Sequence, residues 1–130
     1  MQDDILKTLE VLAMPRGTVV VDENLANLAP FLEKKGIRVR LPPKGMSDEK
    51  IAEDYLPNRI FITNNSKDFV DMASEYDIGI IATENVVKDP EHLAKIISNA
   101  IKSYSLWGIR HGYVLILKSD NKHSLKPLVD

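Results

Sequence analysis

The amino-acid sequence predicts a three-layer α/β domain, in which a mostly parallel central sheet lies between helices on both faces. Two observations lead to this prediction. Short apolar runs typical of buried strands alternate along the chain with stretches whose apolar residues recur every three or four positions, as in amphipathic helices. The chain also has 130 residues, of which 44% are hydrophobic. This size suits one domain, over residues 1–130, and is too small for two ordinary domains.

Five segments have the composition of strands. Residues 18–21 form a continuous run of Thr and Val, which is typical of a strand buried on both faces. Residues 37–41 alternate between apolar and charged side chains, which predicts a strand with one more hydrated face. The remaining predicted strands cover residues 60–62, 78–82 and 113–117.

Four amphipathic helices are predicted between these strands. Their apolar faces cover residues 25–32, 51–56, 69–76 and 93–104. The second can begin at Ser47 or Asp48, and the third at Asp68, since these residue types are common N-caps. Residues 1–16 are expected to form an additional N-terminal helix, and residues 119–130 a polar, loosely held tail.

Composition excludes several classes of protein. The chain has no cysteine, so disulfides, thiolate metal sites and cysteine nucleophiles are excluded. With 17 basic and 19 acidic residues, the net charge of −2 disfavours a general electrostatic attraction to nucleic acid, although a local basic patch is compatible with it. No apolar run approaches the roughly 20 residues of a membrane span. The acidic first residues do not resemble a secretory signal, so a cytoplasmic protein is expected.

Carboxylates follow each of the first four predicted strands. Asp22 comes directly after the first strand, and Asp48, Asp68 and Glu84 follow the next three. Because the carboxyl ends of parallel strands share one edge of the sheet, these acids are expected to lie near one another. Crowded carboxylates repel unless a cation compensates them, and hard oxygen ligands suit Mg²⁺ or Mn²⁺. Asp48 and Asp68 are also explained as helix caps, whereas Asp22 has no such explanation.

Three segments in this order resemble the motifs of a nuclease family. They are Val21-Asp22-Glu23-Asn24-Leu25, residues 47–51 and residues 59–69. They are similar to the PIN-like domains, the small nuclease fold of VapC-type toxins and their relatives. In that family an acid opens a helix, a short strand follows, and a Thr-x-Asn-x-x-Asp-Phe element closes the site. The resemblance covers about residues 17–85 and implies a Rossmann-like three-layer fold.

The resemblance also implies roles for individual residues. Asp22, Asp48 and Asp68 would be the catalytic acids that bind Mg²⁺ or Mn²⁺. Thr63 and Asn65 would hold a carboxylate or a water beside them by hydrogen bonds. Some relatives carry Asp near Asn65, and an amide there would bind a metal less strongly. The family often has a fourth acid, for which the sequence leaves open Glu23, Glu33 and Glu49.

The hypothesis is therefore a metal-dependent endoribonuclease. A VapC-like protein would be the toxin of a toxin–antitoxin pair, with an antitoxin partner and often a homodimer. The basic residues of the chain concentrate in one region, and their positions fit either the path of an RNA backbone or an ordinary solvated face. Those expected to bind RNA are Arg38, Arg40 and Lys44.

Two other hypotheses remain open. The first is a PIN-like fold that no longer cleaves and serves as a protein- or RNA-binding module. The second is a degenerate receiver-type domain, which has a similar length and a similar alternation of strands and helices. A receiver needs a phosphoacceptor Asp at the end of the third strand, and Thr63 and Asn64 occupy that place.

Overall fold

The computed structural model describes residues 18–55, 59–69, 79–86, 89–103, 113–119 and 122–127. It contains six strands within this part of the chain: β1 (Val19–Val21), β2 (Val39–Arg40), β3 (Ile60–Thr63), β4 (Gly79–Ala82), β5 (Tyr113–Ser119) and β6 (Lys122–Pro127). The helices are a 3₁₀ helix (Glu23–Leu28), α1 (Ala29–Lys34), α2 (Asp48–Asp54) and α3 (Pro90–Ser103). Residues 67–69 are also helical.

The six strands form one sheet in the order β2-β1-β3-β4-β5-β6. The pairs from β2 to β5 are all parallel, and β6 runs antiparallel to β5. In this register Val20 lies between Arg40 of β2 and Phe61 of β3. The predicted α/β class and the mostly parallel sheet are therefore confirmed.

Side chains that alternate along each strand build two separate cores. Val19 and Val21 belong to a cluster on the face covered by α1 and α3, which contribute Leu32 and Ile97. Val20 belongs to a second cluster on the opposite face, where α2 and the turn at Phe69 pack against it. The burial of successive residues on opposite faces explains why β1 is a continuous run of valines. Helices on both faces give the domain three layers.

Strand β6 corrects one expectation. Residues 119–130 were expected to be a polar, loosely held tail, yet Lys122–Pro127 pair with β5, and Leu125 lies opposite Leu115. Leu125 is partly buried against the larger core. Among the described strands β6 pairs only with β5, and an antiparallel strand in such a position can keep polar side chains on its hydrated face. Its composition therefore resembles that of a tail.

The helix predicted after β1 is divided into two parts. Glu23–Leu28 form a 3₁₀ helix in which Leu25 leaves the helical region, with φ −116° and ψ 17°. The α-helix begins afresh at Ala29, with Pro30 in its first turn. Proline has no N–H to donate to the preceding turn, so it fits at the start of a helix and not in its interior.

Of the two candidates for the N-cap of α2, the structure selects Ser47 and not Asp48. Ser47 is the N-cap of α2, and its Oγ accepts a hydrogen bond from the Lys50 N–H at 3.2 Å. Asp48 therefore lies inside the helix, in its first turn. Asp68 likewise lies within the helical residues 67–69. The explanation of Asp48 and Asp68 as caps is wrong, and both carboxylates are left for other contacts.

Several sequence predictions concern residues outside those described. They are the N-terminal helix over residues 1–16, the end of the second helix at residues 56–57, and residues 70–78 of the third helix and fourth strand. Among the residues that the structure does describe, no helix is both long enough and apolar enough to cross a membrane.

Candidate functional site

The strand order reverses between β1 and β3, and we call the edge of the sheet at their carboxyl ends the crevice. The chain passes from β1 outward to β2 and then returns to form β3 on the other side of β1. In open parallel sheets the ligand site lies at such a switch point, beyond the carboxyl ends of the strands. Asp22 follows β1 directly, and its N–H donates to the Ile62 carbonyl at 3.0 Å. Thr63 is the last residue of β3. The sheet thus brings these two side chains to the crevice.

Asp22 and Thr63 are joined by a buried hydrogen bond. The Thr63 Oγ1 donates to Asp22 Oδ2 at 2.8 Å. Asp22 is 9% exposed and Thr63 is fully buried. A carboxylate so poorly hydrated needs hydrogen-bond donors in place of water, and the hydroxyl supplies one. The bond also fixes the orientation of the carboxylate group, and with it the position of the other Asp22 oxygen.

The network continues from Thr63 to Asp68. The Asn65 N–H donates to Thr63 Oγ1 at 3.0 Å, and the Asn65 side-chain amide donates to Asp68 Oδ2. One hydrogen-bonded series therefore runs from Asp22 through Thr63 and Asn65 to Asp68. Asn65 and Asp68 are exposed, so this end of the series is open to solvent. All four residues are among those that the sequence predicts for the site.

Asp48 approaches the same crevice from α2. Asp48 is exposed as a residue, but its carboxylate is partly desolvated. This desolvation, followed by the negative charges of Asp68 and Asp22, raises the pKa of Asp48 above its ordinary value of 3.8. Asp48 therefore lies within electrostatic range of both Asp68 and Asp22. The structure therefore brings together all three acids predicted from the sequence, although they come from three separate segments of the chain.

The candidates for a fourth acid lie in different places. The Glu23 Oε2 accepts a hydrogen bond from the Gly45 N–H at 3.0 Å, so Glu23 ties the loop before α2 to the end of β1. Gly45 has φ +81°, a conformation that favours glycine. Glu49 is exposed in the first turn of α2, beside Asp48. Glu33 lies on α1 and lines a cleft that contains none of the three acids.

The end of β4 adds contacts that sequence reasoning missed. The Ser66 Oγ donates to Glu84 Oε2, which links the loop after β3 to the loop after β4. The Thr83 N–H donates to the Thr63 carbonyl at 3.0 Å. The only sequence signal for Glu84 is its position after a strand, where it is equally typical of a solvated surface. No signal in the sequence indicated its contact with Ser66.

An ion at this crevice would have to be held by one or two carboxylates and by water. Among the described residues, no group of three or more His, Asp or Glu side chains is arranged to hold a metal ion together. Mg²⁺ commonly keeps several waters and is bound through only one or two carboxylates. Asp22, oriented by Thr63, and the neighbouring acids Asp48 and Asp68 offer carboxylate oxygens of this kind.

The predicted RNA contacts fall into two regions. Lys44 is exposed and precedes Gly45, in the loop that Glu23 holds near the acids. Arg38 and Arg40 instead line a cleft beside β2. The Arg40 guanidinium lies 6.0 Å from the centre of the Tyr55 ring.

No known relative guides the assignment of this site. Neither a family model, nor a curated protein, nor a solved structure matches the chain. The functional argument therefore depends on the geometry of the crevice and on the chemistry of its residues.

We expect Asp48→Asn to raise the free energy of unfolding of the metal-free protein at pH 7. The raised pKa means that the folded protein holds the Asp48 proton more tightly than the unfolded chain does. Ionised Asp48 therefore opposes folding, and this cost grows as the pH rises through the folded-state pKa. Because the side chain is exposed, the gain should stay below about 1 kcal/mol.

Urea unfolding in EDTA at several pH values measures this effect. The advantage of Asp48→Asn should be complete at pH 7 and should vanish below pH 3.8, where the unfolded chain also binds the proton. Glu53→Gln is the control, since it removes a charge from an exposed position of the same helix. An Asp48→Asn protein that is no more stable than wild type at pH 7 would contradict the predicted repulsion.

Proposed function

We propose that this chain is a PIN-like, Mg²⁺- or Mn²⁺-dependent ribonuclease that hydrolyses phosphodiester bonds. The observation that supports the proposal is the convergence of Asp22, Asp48 and Asp68 on the crevice between β1 and β3. Partial burial and the negative charges of Asp68 and Asp22 raise the pKa of Asp48, so its ionised form opposes folding unless a cation is present. Such an arrangement is costly for a purely structural role and useful for a metal-dependent reaction.

Each residue of the crevice would have a separate role in the reaction. Asp22 would hold the ion together with Asp48 or Asp68. A bound Mg²⁺ or Mn²⁺ would supply activation of a water and compensation of the charge that develops on the phosphate. Thr63 fixes the orientation of Asp22, and Asn65 fixes that of Asp68. Residues that hydrogen-bond to a metal-binding carboxylate in this way orient its oxygens toward the ion.

The surrounding loops would position the substrate. Glu23 holds the loop of Gly45, and the adjacent, exposed Lys44 would lie near the acids. A single lysine there would attract one phosphate of an RNA backbone and would offset part of the local negative charge. The toxin role, the antitoxin partner and the homodimer would follow from membership of the VapC-type group, and they remain part of the proposal.

The direct test is cleavage of a mixed pool of RNA with Mg²⁺ or Mn²⁺, in parallel with EDTA. We expect cleavage that requires the metal. In the same buffers, millimolar Mn²⁺ should raise the melting temperature, because an ion that binds only the folded state stabilises it; the gain is about 2.7 kcal/mol at a concentration 100 times Kd. Absence of both cleavage and a thermal shift would rule out a competent metal site.

A non-cleaving binding module is the second candidate. One observation favours it: no three described acids are arranged to bind an ion jointly. The two candidates are distinguished by the same experiment, since a module predicts RNA or protein binding with no metal-dependent cleavage. The receiver-type alternative has little support, because the Thr63 side chain at the end of β3 is fully buried and hydrogen-bonded to Asp22.

A further inference from the structure

A second cleft, separate from the acids, lies beside β2. It has a volume of about 550 Å³, and neither Asp22, Asp48 nor Asp68 lines it. Pockets of some 300–1,000 Å³ commonly hold a small organic molecule. Its principal lining residues are Thr18, Glu33, Ile37, Arg38, Val39 and Arg40.

The two arginines give the cleft its positive charge. Arg38 is exposed, and its carbonyl accepts the Val19 N–H at 2.8 Å, which fixes the main chain there. Arg40 is two residues further along this extended segment, so both side chains lie on the same face. Guanidinium groups match the geometry of phosphate oxygens and can bind them with two hydrogen bonds each.

A buried hydroxyl lies at the wall of the same cleft. Thr18 is 5% exposed, and its Oγ1 has no hydrogen-bond partner among the residues that the structure describes. Most buried polar groups in folded proteins are paired, because an unpaired one loses its hydration without compensation. The unsatisfied hydroxyl is therefore a second, independent indication that the cleft receives a polar ligand.

The remaining lining residues restrict the kind of ligand. Glu33 contributes one carboxylate, so with Arg38 and Arg40 the cleft carries a net charge of about +1, which suits one phosphate group better than a di- or triphosphate. The Glu33 carboxylate can accept hydrogen bonds from hydroxyl groups of a sugar. Ile37 and Val39 alternate with the two arginines and pack against the larger core, so they lie on the opposite face of this extended segment from Arg38 and Arg40.

We propose that this cleft binds a phosphomonoester carried on a sugar, such as a nucleoside monophosphate. The phosphate contacts Arg38 and Arg40, and the sugar hydroxyls donate to Glu33. Free nucleoside monophosphate and the phosphorylated end of an RNA share this chemistry. The proposal is independent of the proposed nuclease function, because the acidic crevice contributes no residue to the cleft.

Calorimetric titration with adenosine and uridine monophosphates, in EDTA, tests the proposal. We expect saturable binding by wild type, weaker binding of the triphosphates, and no comparable binding of the unphosphorylated nucleosides. Arg38→Gln should weaken binding at least about tenfold, because it removes a charged donor to the phosphate. Lys102→Gln is the control, since it removes one exposed positive charge from the end of α3. No saturable binding, or an equal loss in both variants, would overturn the proposal.

Two further variants distinguish a ligand-binding hydroxyl from a structural one, and this cleft from the acidic crevice. Thr18→Val should raise the melting temperature of the free protein and yet weaken nucleotide binding, whereas a purely structural hydroxyl would change stability alone. Asp22→Asn should leave nucleotide binding unchanged, so that failure of the nuclease proposal does not affect this one.

Competition by a 5′-phosphorylated RNA oligonucleotide would identify an RNA end as the source of the ligand. Absence of such competition, with nucleotide binding retained, would identify the free nucleotide.

Discussion

Asp22→Asn is expected to reduce metal-dependent RNA cleavage at least about a hundredfold while the protein remains folded. The substitution is nearly isosteric, and the amide oxygen of Asn can still accept the hydrogen bond from Thr63. What is lost is the negative charge of the most deeply buried of the three acids. Loss of a residue that hydrogen-bonds to a metal ligand commonly lowers metal affinity or activity 10–100-fold. Loss of the ligand's own charge should lower them at least as much.

Initial cleavage rates in Mn²⁺, together with unfolding curves in EDTA, measure the two parts of this prediction. Unfolding should show a stability close to that of wild type, because a buried charge and its desolvation are removed together. Glu53→Gln supplies the comparison, since it deletes an exposed carboxylate from α2. Cleavage by Asp22→Asn at the rate of wild type would remove Asp22 from the reaction. The proposed metal site would then lose the acid on which it chiefly depends.

The strands that the sequence predicts best are the ones buried in the interior of the sheet. Residues 18–21 and 60–62 are continuous apolar runs, because both faces of β1 and β3 are covered by helices. Strand β6 could not be predicted in this way. Its residues are mostly polar, and it is a strand because its main chain pairs with β5. That pairing is a tertiary interaction, and the polar composition of residues 122–127 does not indicate it.

The site shows the same division between local and tertiary information. Asp22 and Asp68 were predicted because the carboxyl ends of parallel strands must share an edge, and a strand end can be located from the sequence alone. The role of Thr63 was implied only by the family resemblance. The bond from Gly45 to Glu23 depends on how a loop folds back across the sheet, and no pattern indicated it. For the same reason Glu23 could only be a candidate for a metal ligand, whereas the structure shows it holding a loop.

The basic residues illustrate a limit of grouping by sequence proximity. Arg38, Arg40 and Lys44 lie within seven positions of one another, which suggested a single surface. The cleft beside β2 contains the two arginines, while Lys44 belongs to the loop held by Glu23. A strand advances about 3.3 Å per residue and then turns, so a few positions are enough to separate side chains into two regions.

Thr63→Val is expected to lower both the stability of the protein and its cleavage activity. Valine has the shape of threonine without the hydroxyl, so packing in the core is preserved. The loss leaves Asp22 Oδ2 and the Asn65 N–H without the partner that each has at present. An unsatisfied buried partner costs about 1–3 kcal/mol, and more when it is charged, so we expect a loss of about 2–3 kcal/mol. Cleavage should fall about 10–100-fold, because Asp22 is no longer oriented.

Thr63→Ser distinguishes the hydroxyl from the side chain as a whole. Serine retains the donor and loses one methyl group, so it should recover most of the cleavage activity while remaining about 1 kcal/mol less stable than wild type. Equal activity of the Ser and Val variants would show that the bond to Asp22 does not matter for the reaction.

The double variant Asp22→Asn with Thr63→Val tests whether Thr63 acts through Asp22. When the carboxylate is replaced by an amide, removal of the hydroxyl leaves no unpaired buried charge, so its cost in unfolding free energy should fall. A coupling of about 0.5–3 kcal/mol is typical of residues in direct contact. Cleavage should show the same dependence: once Asp22 is replaced, loss of the Thr63 hydroxyl should lower the rate little further. Strictly additive effects on stability and on cleavage would mean that Thr63 acts in the core alone, and that another group must orient Asp22.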